Sequence, residues 1–315
     1  MTLDLFNWIP VEKLNWAALS INPNAVDFLK QNMDKIDWIA LSSNPSAVQL
    51  LEQNQDKICW VQLSANPNPE AMQLLEKNPD KIDWELLSSN PGAMRLLEKN
   101  LDKIHWFYLS SNNSNAVKLF ETHMSEICWY YLSSNPSTEA IRLLEQNQDK
   151  IEWLNLSSNP SAIHLLEQNQ DKINWDYLCL NPNAFHLLAQ NQDKINWNML
   201  CSNSNTDAVQ LLEKNLDKIN SDLLSFNPNA FHILEKSQSK INWRKLCYNP
   251  CAMRLLEKSQ TKIHWWTFSL NPSIFGIDYL SLSKERTKII YQELIEKALH
   301  PCRVIKWLEA GFEDY

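Results

Sequence analysis

Glycine is almost missing: the 315 residues contain three, Gly92, Gly276 and Gly311. Neither a phosphate-cradling loop nor a dinucleotide fingerprint can be assembled from three scattered glycines. No apolar run approaches the roughly 20 residues that a membrane-spanning helix needs. The start, MTLDLFNWIPVEKLNW, has neither a basic leader nor the apolar stretch of a secretory signal, so an intracellular, reducing setting is expected. The seven histidines show no H-E-x-x-H or comparable metal spacing. Cys247 and Cys251 are four residues apart, with no second pair to complete a zinc set. Cys179, Cys201 and Cys247 each stand four residues after a tryptophan, where most repeats carry serine, and read as small buried stand-ins. Stacked helices about 8–10 Å apart would hold Cys179 and Cys201 beyond the roughly 7 Å that a disulfide allows between alpha carbons. A net charge of -8 and a pI near 5.4 oppose general affinity for nucleic acid or an anionic membrane.

What is present is a period. Tryptophan recurs at 16, 38, 60, 84, 106, 129, 153, 175, 197, 243 and 265, with spacings of 22, 23 or 24 and Ser221 in the one missed place. The unit is D-K-I-x-W-x-x-L-S-x-N-P-x-A-φ-x-L-L-E-x-N-x, where φ is Val, Ile, Met or Phe. A period of this size marks stacked units, none able to bury its apolar face without neighbours. The expected fold is an all-α solenoid of about twelve short helix-turn-helix repeats over residues 12–275. Residues 1–11 are expected as an N-terminal cap and residues 276–315 as a helical C-terminal cap, the whole forming a continuous curved rod with shielded ends. The Ile-x-Trp alternation leaves a leucine-rich-like horseshoe as the alternative, although the L-x-x-L-x-L-x-x-N spacing is not matched and proline follows the asparagine.

Within the unit, the spacing predicts a helix from Pro45 to Gln53, with Ala47, Val48, Leu50 and Leu51 on one broad apolar face. Asn44 is expected to cap it, Pro45 to fill its first position, and Asn54 to end it in the left-handed conformation. A shorter helix should carry Trp38 and Leu41, with Asp34 as its cap. The 24-residue units place their extra residues at Asn68-Pro69-Glu70, Ser137-Thr138-Glu139 and Asn205-Thr206-Asp207, which is helix-start chemistry. An asparagine stands six residues after all twelve tryptophan positions, either as a cap or as a rung in a ladder of bonded asparagines. The tryptophans are expected in the core with each N–H on a neighbouring carbonyl. A glutamate column including Glu52, Glu76 and Glu98 and a lysine column including Lys35, Lys57 and Lys81 are expected to interleave between repeats.

The unit K-I-D-W-x-x-L-S-S-N-P-x-A-x-x-L-L-E-x-N at Lys35 to Asn54 and Lys81 to Asn100 resembles the tandem repeats of proteins from giant nucleocytoplasmic large DNA viruses. The ending ALHPCRVIKWLEAGFED at Ala298 to Asp314 is also similar to the tail of some of them. The resemblance covers nearly the whole chain. It implies a viral origin and an interaction role, and offers no catalytic motif to carry over.

No serine is paired with a base, because each candidate belongs to the repeat register, so neither an enzyme nor a cofactor or small-molecule substrate is expected. The expected function is a protein-binding scaffold, monomeric, in the host cytoplasm. A structural part of a virus particle is the second reading, and a repeat-per-base nucleic-acid reader a distant third. Two surfaces are candidates. The pair of positions after tryptophan, elsewhere Ala17-Ala18, Glu85-Leu86 or Asp176-Tyr177, becomes Phe107-Tyr108 and Tyr130-Tyr131 in adjacent repeats; the alternative is that these rings fill a gap beside the irregular linker Glu121 to Glu126. Arg95, Lys118, Arg142 and Arg254 lie on the outer face of the longer helix as a polar to basic stripe, or as an ordinary solvated face. His164, His186 and His232 share that face and are expected to be solvated. Ser221 is expected to weaken its repeat unless Phe226 fills the space.

Overall fold

The structure, a computed structural model, describes residues 3–112, 116–235, 241–276, 279–298 and 300–310. The second repeat shows the unit. A 3-10 turn at Met33–Lys35 leads through two extended residues, Ile36 and Asp37, into the helix Trp38–Ser42. A second 3-10 turn at Pro45–Ala47 continues as the helix Val48–Glu52. The all-α solenoid is thereby established, and the Ile-x-Trp alternation is explained: two extended residues link turn to helix and join no sheet. The strands of the described residues are β1 (Asp4–Leu5) and β2 (Phe275–Gly276).

Two local expectations need correction. Asp37, rather than Asp34, caps the first helix, its carboxylate accepting from the Ala40 N–H at 3.0 Å. Asp34 is one turn too early, inside the 3-10 turn. Asn54 is not left-handed, with φ of -133°. Its Nδ2 donates to the Leu50 carbonyl at 2.8 Å, which satisfies a C-terminal carbonyl without a left-handed turn. In the three long units the added residues lengthen the second helix. Pro69–Glu76, Thr138–Gln146 and Thr206–Glu213 are continuous α-helices capped by Asn68, Ser137 and Asn205.

Asparagine does two jobs at once. In Asn44 the Oδ1 accepts from the Ser46 N–H, while Nδ2 donates to the carbonyls of Ser20 and Asn22 in the preceding repeat at 2.9 and 3.0 Å. Cap and ladder are therefore one device. The side chain is fully buried, so each of its groups must be matched inside the protein. The serine two residues before it forms a parallel ladder: Ser42 Oγ donates to the Trp38 carbonyl and accepts from the Cys59 N–H. Cys247 takes the same place, accepting from the His264 N–H at 3.4 Å.

The ladder has no end. Asn22, in the first repeat, donates to the carbonyls of Ser269 and Asn271 in the last at 3.0 and 3.1 Å. Asn15 N–H donates to Ser269 Oγ, and Asn24 Nδ2 to the Pro272 carbonyl, as their counterparts do elsewhere. Lys13 lies over the Trp265 ring as Lys35 lies over Trp16. The expected rod with two shielded ends is overturned: the twelve repeats close into a ring, each step turning about 30° on average, a full circle divided by twelve. The seam has its own fastening. β1 pairs antiparallel with β2, Asp4 opposite Gly276, and Trp8 and Phe28 pack against Phe268 and Phe275 at 5.7 and 5.8 Å. A Cβ at residue 276 would stand 2.7 Å from the Phe6 ring, so any larger residue there would have to push that exposed ring aside. Beyond the seam lie the helices Tyr279–Glu293 and Pro301–Glu309, and every side chain from 286 to 296 is exposed.

Ion pairs and rings also differ from expectation. The lysine column does not meet the glutamate column; nine lysines place Nζ 4.3–5.3 Å from the centre of an indole, eight of these indoles belonging to the repeat before. The indoles are half-buried, packed on the core by one face and covered by the lysine. The cation, not a carbonyl, is their polar partner, an interaction of about 0.5–1 kcal/mol at such sites. Where Glu126 replaces the lysine, His123 stacks on Trp106 at 4.8 Å. Lys240 of the same column lies outside the described residues.

Candidate functional site

A closed ring must be tighter on its inner rim than on its outer one, and the bonding shows which is which. Neighbouring first helices are joined at every step by the serine and asparagine ladders, with donors 2.8 to 3.4 Å from acceptors. Neighbouring second helices stand apart. A groove of about 400 Å³ separates Val48–Glu52 from Pro69–Glu76, lined by Gln49, Gln53, Gln73 and Lys77 among others. Long side chains span such gaps: Lys99 to Glu76, Arg142 to Glu121, and His164, His186 and His232 to Glu145, Glu167 and Glu213. The first helices therefore line the inner rim and the second helices the outer. Twelve axes about 8–10 Å apart on a circle leave, after the helices' own side chains, an opening roughly 20–28 Å across.

The position after each tryptophan begins the first helix on the side away from the core, and from repeat two onward it is exposed without exception. It carries Ile39, Val61, Phe107, Tyr130, Leu154 and Trp266 among its exposed residues, Ile39 at 63%. Ile21, Tyr177 and Met199 add to the same helices' exposed faces, and the exposed Phe226 follows the helix Ser221–Leu224. Polar residues complete the column at Glu85, Asp176, Asn198, Asp222 and Arg244. In the outer counterpart, the exposed position two residues after the repeat's alanine, the side chains are polar, as in Gln49, Gln73, Arg95, Arg142 and Arg254. Most large apolar side chains exposed on the array thus lie on the inner rim, with Val11, Leu101 and Leu216 exposed at the starts of 3-10 turns, whereas a protein surface without a partner scatters them.

Phe107, Tyr108, Tyr130 and Tyr131 come together there. Phe107 meets Tyr131 at 4.5 Å and Tyr108 at 5.2 Å, both edge-on, and Tyr130 meets Tyr131 at 5.2 Å. Phe107 is 43% and Tyr130 51% exposed, so the cluster does not fill a core gap beside the 121–126 linker; His123 and Met124 pack there. The Glu85 carboxylate, one repeat earlier, lies beside the Tyr108 phenol and holds it above its ordinary pKa. Glu85 is a member of this group that the aromatic pattern alone did not reveal. Its signal was available in the sequence: it occupies the same column as Phe107.

The basic candidates are elsewhere. Arg95, Arg142 and Arg254 are exposed on the outer rim, and the side chain of Lys118 lies outside the described residues. Arg142 is paired with Glu121, and the three histidines of that column with glutamates, whereas Arg95 and Arg254 make no ion pair among the described residues. The pairs come from stacking, which sets an acid beside the next repeat's base.

The remaining groups offer little chemistry. Burial pushes the Cys179 thiol up to about 11 and raises those of Cys201 and Cys247, leaving them poor nucleophiles. Among the described residues no three histidine, cysteine or acidic side chains converge as a metal site, and no helix is long and apolar enough to cross a membrane. No family model matches the chain, and comparison with curated proteins and with solved structures finds no match.

Proposed function

We propose that the protein is a non-catalytic interaction ring that holds a polypeptide partner against its inner rim, in keeping with the interaction role that its resemblance to giant-virus repeat proteins implies. The observation that carries this reading is the gathering of exposed apolar side chains, from Trp266 through Ile39 and Val61 to Phe107, Tyr130 and Leu154, on the rim while the outer face stays polar. Such residues supply most of the energy of protein interfaces because rigid rings and branched chains bury area at low entropic cost. The ladder serines support a non-catalytic reading, since each is already bonded to a tryptophan carbonyl and a backbone N–H. Glu85, Asp176 and Asp222 on the rim disfavour nucleic acid as the occupant. A photo-crosslinking residue at Ile39 or Leu154, compared with one at Gln49 or Gln73, tests the reading in the cell that makes the protein. Crosslinks confined to the outer positions would refute it.

A structural role in a virus particle is a second reading. It is favoured by the exposed apolar side chains of the C-terminal helices, Ile289, Ile290, Leu294, Ile305 and Trp307, which give the ring a separate sticky arm. Mass spectrometry of purified particles distinguishes a particle component from a factor free in the cell.

A further inference from the structure

Nine indoles of the repeat column are covered by lysines, and Trp106 takes an imidazole. The rim cluster has an acid beside it instead: Glu85 and Tyr108 hold the positions that Asp222 and Lys245 hold further along the ring, where the two form an ion pair. Phe107 and Tyr130 are exposed on the rim with the half-buried Tyr108 and Tyr131 packed edge-on against them, and among the described residues no lysine or arginine lies over any of the four. Glu85 joins them through Tyr108 and forms no ion pair among the described residues, whereas the acids Asp222, Glu76 and Glu121 do. Lys103, the nearest lysine in sequence to Phe107, is paired with Asp102 at 3.6 Å. His105 packs against Tyr108 at 4.8 Å and closes one side.

Ring faces are negative at their centres, and a carboxylate beside them deepens that potential. An apolar side chain would use the rings and gain nothing from Glu85. An acidic side chain, or a nucleic-acid phosphate, would be repelled. A basic side chain uses both, its alkyl stem along Phe107 and Tyr130 and its charge near Glu85 and Tyr108. We propose that this cluster is the subsite of the inner rim that receives a lysine or arginine side chain of an extended polypeptide partner. The assignment rests on the inner rim being the contact surface.

The test uses the full chain and fluorescein-labelled twelve-residue peptides in which alternate residues are Arg, Lys, Glu or Gln and the rest Ala, followed by fluorescence anisotropy. The Arg and Lys peptides bind, and the Glu and Gln peptides bind at least about tenfold more weakly. Glu85→Gln and Phe107→Leu each weaken the basic peptides about five- to thirtyfold, the leucine variant keeping apolar volume while removing the ring. Glu52→Gln and Asp193→Asn, exposed acids elsewhere, are the charge-matched controls and leave binding unchanged. An equal loss in the controls would reduce the effect to attraction by the net charge and overturn the site. So would basic peptides binding no better than the Gln peptide, or Glu85→Gln binding as tightly as the parent protein. If the peptide results fail while Ile39 and Leu154 still crosslink a partner, the subsite alone is wrong; if those positions crosslink nothing, the interaction reading falls with it.

Discussion

The side-chain amide of Asn22 donates to the carbonyl of Asn271 at 3.1 Å, across 249 residues of chain. It is the same bond that Asn44 makes to Asn22, so the last repeat stands before the first as any repeat stands before the next. An array whose ends satisfy one another needs no dedicated cap, and its apolar edges are covered by its own repeats.

Closure predicts a hollow, disc-like particle in solution. Small-angle scattering should give a pair-distance distribution with the depletion typical of a ring. A curve fitting a rod with a length on the order of 100 Å would show that the seam is open.

The seam should be as strong as any other joint. Asn22→Ala and Asn159→Ala each remove two bonds to buried carbonyls of the preceding repeat. Each should cost about 1–3 kcal/mol in denaturant unfolding, the two being similar. A silent Asn22→Ala beside a damaging Asn159→Ala would mean that the ends do not meet.

The weak joint is at Ser221. Ile219 and Leu211 are half-buried, whereas their counterparts such as Ile151 and Leu143 are buried, and Phe226 does not fill the space: it is 58% exposed and packs toward Tyr248 at 6.0 Å. Hydrogen exchange should be faster through residues 211–224 than around Trp153. Ser221→Trp should slow it and stabilise the protein by about 1–3 kcal/mol; equal protection in the parent and the variant would show that no gap exists.

Thiol reactivity should follow burial. Iodoacetamide near pH 8 should label exposed Cys251 readily and Cys179, Cys201 and Cys247 only on unfolding, since all three thiols are raised and that of Cys179 to about 11. Rapid labelling of Cys179 in the native protein would contradict its place in the serine ladder.

The influence of Glu85 on Tyr108 has a defined pH sign. The phenol is raised in the folded protein, so its contribution to stability is full below the ordinary phenol value and is lost as pH rises through the higher folded one. Glu85→Gln should lower the Tyr108 transition in an ultraviolet titration toward about 10. An unchanged titration would remove Glu85 from the cluster.

The sequence by itself determined the repeat unit, because each of its elements is local and is written twelve times. Asn44 caps two residues ahead, Pro45 starts a turn, and Leu50 and Leu51 share a face, and none of this depends on distant residues. The exposed rings at Phe107 and Tyr130 were legible for the same reason, as departures from a column visible in other repeats. Tertiary structure alone decided the ring. A rotation of about 30° per repeat is spread over small adjustments at every joint, and an error of a few degrees, multiplied twelve times, would open the circle into a superhelix. No single residue encodes that angle, so the meeting of Asn22 with Asn271 and the division into inner and outer rims emerge only once the repeats are stacked.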